Sequence, residues 1–238
     1  LANMISSLTD KDNRVTIPGF YDDVLEVSDQ ERSEMAEAPF DEAEYCRSIG
    51  IKGVWGEKGF SSLERVGIRP SLDVNGIWSG YTGEGAKTVL PSVAKAKISM
   101  RLVPYQDNVK IAKLFEDYII RIAPECVSVK VKALHGGQGY VAPTNSVGYL
   151  AASRALEDAY GKKSIPYRSG GSIPVISTFE EVLGLKSILM GFGLESDAIH
   201  SPNENFPLEQ LYKGIETIPL FYSHFTNIFM GCLLYTSD

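Results

Sequence analysis

Val93-Ala-Lys-Ala-Lys-Ile-Ser-Met-Arg-Leu-Val103 is the stretch on which the fold turns. Its even positions Ala94, Ala96, Ile98, Met100 and Leu102 are apolar, while the odd positions Lys95, Lys97, Ser99 and Arg101 are polar. Successive side chains of an extended backbone point to opposite faces, so this period of two predicts a strand with one face on a core and the other open. Upstream, from Ser71, the residues Leu72, Val74 and Trp78 alternate with polar positions and predict another strand, joined to the first by the glycine-rich Gly80-Tyr-Thr-Gly-Glu-Gly-Ala-Lys-Thr88. Downstream, Asp107 or Asn108 caps an amphipathic helix with the stripe Ile111, Leu114, Phe115, Tyr118, Ile119 and Ile122, which Pro124 stops. A further alternation, Val127, Val129 and Val131 against Ser128, Lys130 and Lys132, ends at His135-Gly-Gly137. Strand, strand, helix, strand predicts a small α+β sandwich.

Outward from this core the pattern changes on both sides. The first fifty residues read as helical pieces broken by loops, with capping signals at Ser28-Asp-Gln-Glu31 and at Asp41, the latter opening a helix that Gly50 closes. After Gly139, helix and strand alternate: a helix from Leu150 to Tyr160, an extended run from Ile165 to Arg168, a helix opened by Ser177-Thr-Phe-Glu180 and closed by Gly184, and a strand from Lys186 to Met190. A last helix starts near Asn205 and Pro207, and Pro219 is expected to kink or interrupt it. Such alternation predicts β-α-β units with a parallel sheet. The chain is therefore read as α/β, with a first domain over 1–140, a second over 141–229, and a tail, 230–238, read as non-native because it lacks the periodicity before it.

Composition narrows the function. Of 238 residues, 44% are hydrophobic and 22% charged, which is ordinary globular usage. No apolar run reaches the ~18 residues that cross a bilayer, so no membrane role is expected. A net charge of −7 with dispersed lysines argues against nucleic acid, which needs clustered cations, and points to a small-molecule partner. Cys46, Cys126 and Cys232 form no Cys-x-x-Cys pair, so neither a disulfide framework nor a thiolate zinc site is expected, and a reducing, cytoplasmic compartment fits.

Chemistry gathers around His200, in Gly191-Phe-Gly-Leu-Glu-Ser-Asp197-Ala-Ile-His200-Ser-Pro-Asn203-Glu204-Asn205. It follows an apolar run and precedes a helix, the place where open α/β sheets hold their chemistry. Asp197, Ser201, Asn203 and Glu204 are all candidates to orient its ring through the second nitrogen. A metal ligand is the natural reading, but no cluster elsewhere in the chain has the spacing of a complete site. Arg168-Ser-Gly-Gly-Ser172 is a loop whose amides and Ser172 hydroxyl can meet an anion, or else a turn needing positive φ. Arg101, on the polar face of its strand, can hold a carboxylate with a two-pronged fork. Gly80-x-x-x-x-Gly85-Ala-Lys87-Thr88 fails as a phosphate loop, because glycine and lysine are not adjacent and a strand follows. Trp55 and Trp78 are read as core or interface residues, and His224 as packing.

In order, Ile17-Pro-Gly19, Pro70-Ser-Leu72, Gly85-Ala-Lys-Thr88-Val-Leu-Pro91, Ser99-Met-Arg101-Leu-Val-Pro104, His135-Gly-Gly137, Gly170-Gly-Ser172-Ile-Pro174 and Ala198-Ile-His200-Ser-Pro-Asn203-Glu204 resemble the carboxyl-terminal part of the M20 metallopeptidases, most closely their carnosinase-like cytosolic dipeptidase branch. The resemblance implies an α+β lid, with antiparallel sheet and helices, that makes a homodimer and is inserted into an α/β zinc-peptidase catalytic domain. It makes His200 the last ligand of a two-zinc centre, with Mn2+ as another metal that such a centre accepts. Arg101 and Ser172 become binders of the terminal carboxylate of a short peptide, His135 a nearby substrate contact, and Thr88 a lid residue reaching the neighbouring subunit's site. The other ligands and the general base are expected upstream of Leu1, so the chain is read as a fragment that is inactive alone. A non-catalytic dimerisation or carboxylate-binding module, and an M20-type amino-acid deacylase, are the other functions this pattern admits.

Overall fold

The structure is a computed structural model that describes residues 1–170, 173 and 175–235, the side chains of 195 and 231–235 excepted. The order of elements is α1 (Ala2–Ser6), α2 (Asp29–Ala36), α3 (Glu42–Ile49), α4 (Ser62–Gly67), β1 (Ser71–Ser79), β2 (Ala94–Arg101), α5 (Asn108–Ile122), α6 (Val147–Tyr160), α7 (Val175–Leu183), a 3-10 turn (Glu195–Asp197) and α8 (Leu208–Tyr235). The chain divides into two compact units, Leu1–Tyr140 with Tyr167–Ser177, and Val141–Pro166 with Thr178–Asp238.

In the first unit, β1 and β2 form an antiparallel pair, and the alternation read from the sequence is realised in β2: Ala96, Ile98 and Met100 are half-buried while Lys95, Lys97, Ser99 and Arg101 are exposed. Leu72 faces Met100 and Val74 faces Ile98, after which a bulge between Val74 and Gly76 inserts one residue so that Ile77 faces Ala96. The extra residue lets the spacing Leu72-x-Val74-x-x-Ile77 keep its apolar members on one face. Against that face lies α5, capped by the Asp107 carboxylate, which accepts the Lys110 N–H at 2.7 Å. Ile111 and Ile119 of α5 join Met4, Leu8, Val15, Ile17 and Phe20 in a core that Leu72, Ile98, Met100, Leu102, Val129 and Val131 flank.

The first fifty residues are not only helical pieces: the stretch between α1 and α2 is turns and one isolated bridge, Thr9 to Val15, and it delivers Leu8, Val15, Ile17 and Phe20 to the core. The runs 127–132, 165–168 and 186–190 form no strand and join no ladder, so the parallel sheet expected of the second domain does not occur among the described residues. Hydrophobic patterning says that a segment is extended and which face it buries; a strand needs, besides, a neighbour for its N–H and C=O groups. Trp55 is 85% exposed and Trp78 is 45% exposed, so neither is a core residue.

In the second unit, α6 and α8 pack together. Ala151, Ala152, Ala155 and Ala159 are buried on α6, and such small side chains let helix axes approach closely. Ser146 caps α6, and Gly161, at φ 65°, closes it. The Tyr160 hydroxyl donates to Gln210 Oε1 at 2.8 Å, and Lys213 Nζ donates to the Ala159 carbonyl. His224 is more than packing: its Nε2 lies 2.7 Å from Asp158 Oδ2. Helix α8 runs through Pro219 without interruption and on to Tyr235, so residues assigned to the tail continue it. Ser177 is not the cap of α7, which starts at Val175; Gly184, at φ 64°, ends it as expected.

Two buried carboxylates tie the first unit together. Glu57 takes a bidentate fork from Arg69, both bonds at 2.7 Å, with the two side chains only 8% and 11% exposed. Glu64 completes a capping box with Ser61 and accepts Arg32 Nε at 2.5 Å. Burial pushes the Glu64 pKa upward, but hydrogen bonds from Arg32 and Ser61 outweigh it and hold the carboxyl below its ordinary value. Its stabilisation is therefore full above the unfolded glutamate pKa of about 4.3 and is lost as the pH falls through the lower folded value. Glu64→Gln is expected to lower stability at pH 7 by about 1–3 kcal/mol. In urea titrations the wild-type and variant curves should keep that gap down to about pH 4.3 and converge below it.

Candidate functional site

Four of the five residues singled out from the sequence are described, and all four are exposed. Arg101 ends β2 on its polar face, directly across from Ser71. Thr88 lies in the connection between β1 and β2, and His135 in the irregular stretch after 127–132. These three belong to the first unit, whereas His200 belongs to the second. Ser172 lies outside the described residues.

The segment leading to Ser172 has a clear local logic. Arg168 pairs with Glu31 at 2.5 Å, which fixes its guanidinium on α2. A Cβ on Gly170 would sit 2.9 Å from the Val66 carbonyl oxygen, and one on Gly67 would sit 2.7 Å from the Arg168 carbonyl oxygen. Gly170 has no positive φ and is there because two backbones touch, while Gly171, the other glycine of this loop, lies outside the described residues.

His200 sits on a turn whose backbone is left-handed at Ala198 (φ 54°), His200 (φ 62°) and Asn203 (φ 65°). The His200 N–H donates to Glu204 Oε2 at 3.2 Å, so Glu204 braces the backbone of the ligand candidate. Ser201 N–H donates to the Ala198 carbonyl at 2.8 Å, and Asn205 N–H to the Asp197 carbonyl at 2.9 Å. Asp197 is 1% exposed. The sequence does not rank Asp197 above Ser201, Asn203 and Glu204; burial does, since those three are exposed.

Whether these residues fit a two-zinc centre can be judged from the donors. Among the described residues there is no group of three or more His, Cys, Asp or Glu side chains placed to hold a metal ion. A closed zinc site needs four ligands and a catalytic one three besides water. His200 is one exposed imidazole, so the described residues do not by themselves fit that centre, and no chemical step is derived through it. Nor is any described helix long and apolar enough to cross a membrane.

Comparison with known proteins gives a consistent result. Residues 26–223 match the family described as peptidase family M20/M25/M40. The Cys-Gly metallodipeptidase DUG1 of Candida albicans is 30% identical over 221 residues, covering 92% of this chain and 46% of that protein. The human Beta-Ala-His dipeptidase is 26% identical, covering 93% of this chain and 44% of that protein. Among solved structures, the M20 family metallo-carboxypeptidase Sso-CP2 from Sulfolobus solfataricus superposes with a TM-score of 0.82 at 29% identity, over 94% of this chain and 51% of that one. The di-peptidase Dug1p of Saccharomyces cerevisiae gives 0.80 at 25% identity, over 94% and 47%. The chain thus spans about half the length of the relatives it matches.

The donor count makes a measurable statement. Titrated with zinc, the 238-residue chain is expected to show no sub-micromolar binding by calorimetry, far from the roughly 10–16 kcal/mol that complete structural zinc sites supply. Tight stoichiometric binding would mean that donors other than His200 converge.

Proposed function

This chain belongs to peptidase family M20/M25/M40, and from that premise we propose that it supplies part of the site of a metal-dependent peptidase acting on short peptides with a free C-terminal carboxylate. In this reading His200 is the last ligand of a two-zinc centre, and the remaining donors and the general base come from polypeptide outside these residues. Residues 1–140 act as the lid and dimerisation domain, and 141–229 as a segment of the catalytic domain.

The observation that carries the reading is the exposed imidazole on a hydrogen-bonded turn, in a family whose matched relatives are named as metallodipeptidase and metallo-carboxypeptidase. The chain's own groups have definable tasks. The Arg101 guanidinium presents a planar fork suited to a carboxylate, and β2 holds it at a strand end where the backbone is pinned by its partner Ser71. Ser172 is proposed to share that carboxylate and His135 to donate to the peptide. Thr88, exposed in the β1 to β2 connection, is proposed to reach the site of a second copy in a homodimer.

The test is a variant series in the polypeptide that carries this chain, assayed with zinc against Cys-Gly, β-Ala-His, a longer peptide and an N-acetyl amino acid. His200→Ala is expected to abolish turnover. Arg101→Ala is expected to raise KM about tenfold to a hundredfold, from the ~1.5–3 kcal/mol of a charge-assisted hydrogen bond, with a smaller change in kcat. Hydrolysis of the N-acetyl amino acid in preference to the dipeptides would establish the deacylase reading instead. Activity that survives His200→Ala would overturn the assignment of the ligand.

A further inference from the structure

We propose that Asp197 is the positioning residue for His200, holding both ends of the loop that carries the imidazole; this deepens, and rests on, the reading of His200 as a ligand. Three bonds made by this one residue support it. Asp197 Oδ2 accepts the Leu194 N–H at 2.8 Å, its own N–H donates to the Leu194 carbonyl at 3.0 Å, and its carbonyl accepts the Asn205 N–H at 2.9 Å. The first two anchor the chain entering the loop, and the third anchors the chain leaving it.

Between these anchors the backbone is left-handed at Ala198, His200 and Asn203, none of them glycine. Such conformations persist in non-glycine residues when the surroundings over-determine them, and they gather where geometry serves function. The other bonds of the loop include those from Ser201 N–H to Ala198, from Glu204 N–H to Ser201 and from His200 N–H to Glu204, and Ser201, Glu204 and His200 are exposed and open to competition from water. Asp197 is the buried member of the set, at 1% exposure.

The second carboxylate oxygen makes the case sharper. Asp197 Oδ1 is buried and has no hydrogen-bond partner among the described residues. Buried polar atoms left without a partner are uncommon. The working contact is therefore that of Oδ2, which takes up the Leu194 N–H at the start of the loop, three residues before the imidazole.

The experiment uses the full 238-residue chain, labelled with 15N and studied without metal, as wild type, Asp197→Asn, Asp197→Ala and Glu204→Ala. Three readouts are taken: amide exchange at Leu194 and Asn205, φ-sensitive couplings at Ala198 and His200, and Tm. Asp197→Ala is expected to accelerate exchange at both amides at least about tenfold and to average the couplings at His200 away from their left-handed values. Asp197→Asn, which keeps an oxygen for the Leu194 N–H, is expected to restore both. Glu204→Ala should shift the His200 couplings while Leu194 and Asn205 stay protected. Wild-type couplings and exchange in Asp197→Ala would overturn the proposal, and so would an Asn variant as disturbed as the Ala variant. If Asp197→Ala fails to fold, the Asn and Glu204 variants decide it by the same criteria. Zinc titration followed on the His200 ring is a separate arm that reports on the ligand reading alone, so the two can fail independently.

Discussion

A single buried amide holds the first unit in register. Gln106 is fully buried, its Oε1 accepting the Val103 N–H at 2.9 Å and its Nε2 donating to the Phe20 carbonyl at 2.7 Å. It joins the turn between β2 and α5 to the irregular segment that brings Ile17 and Phe20 into the core. Each bond contributes about 1 kcal/mol net, but removing the amide would leave a buried N–H and a buried C=O unpaired, at about 1–3 kcal/mol each. The apolar face of β2 packs toward the core that holds Ile111 and Ile119, and the opposite face, with Arg101, is exposed.

The same economy of contacts governs the second unit in a different way. Small alanines on α6 let α8 approach, and polar links at Asp158, Ala159 and Tyr160 fasten the last turn of α6 to Gln210, Lys213 and His224 of α8. Helix α8 continues past Pro219, which lacks the N–H that would close one turn. Thr217, fully buried, donates its hydroxyl to the Lys213 carbonyl at 2.7 Å just before that point. A proline is tolerated inside a helix when the neighbouring packing is strong enough to hold the axis, which the sequence alone does not reveal.

Much of the first unit was legible because its signals are local. The alternation of β2, the Asp107 cap and stripe of α5, and the Asp41 and Gly50 boundaries of α3 each depend on residues a few positions apart. What was not legible depends on distant partners. The bulge after Val74 appears only once Ile98 and Lys97 lie opposite, and the buried role of residues 8–20 only once α5 covers them. The segments 127–132, 165–168 and 186–190 carry strand patterns but meet no neighbouring strand among the described residues, so pattern and ladder part company.

For the candidate site the division is similar. The order and spacing of motifs such as Ser99-Met-Arg101-Leu-Val-Pro104 and His200-Ser-Pro-Asn203-Glu204 determine the family, because covalent order survives whatever the chain packs against. The sequence also placed His200 in a loop and Arg101 on a polar strand face. Only the tertiary structure decided that Asp197, not its equally polar neighbours, is the buried one, that Gly67 and Gly170 mark touching backbones, and that His224 pairs with Asp158. Burial, and contacts such as those of Gly67 with Arg168 and of His224 with Asp158, depend on segments far apart along the chain, and no local pattern encodes them.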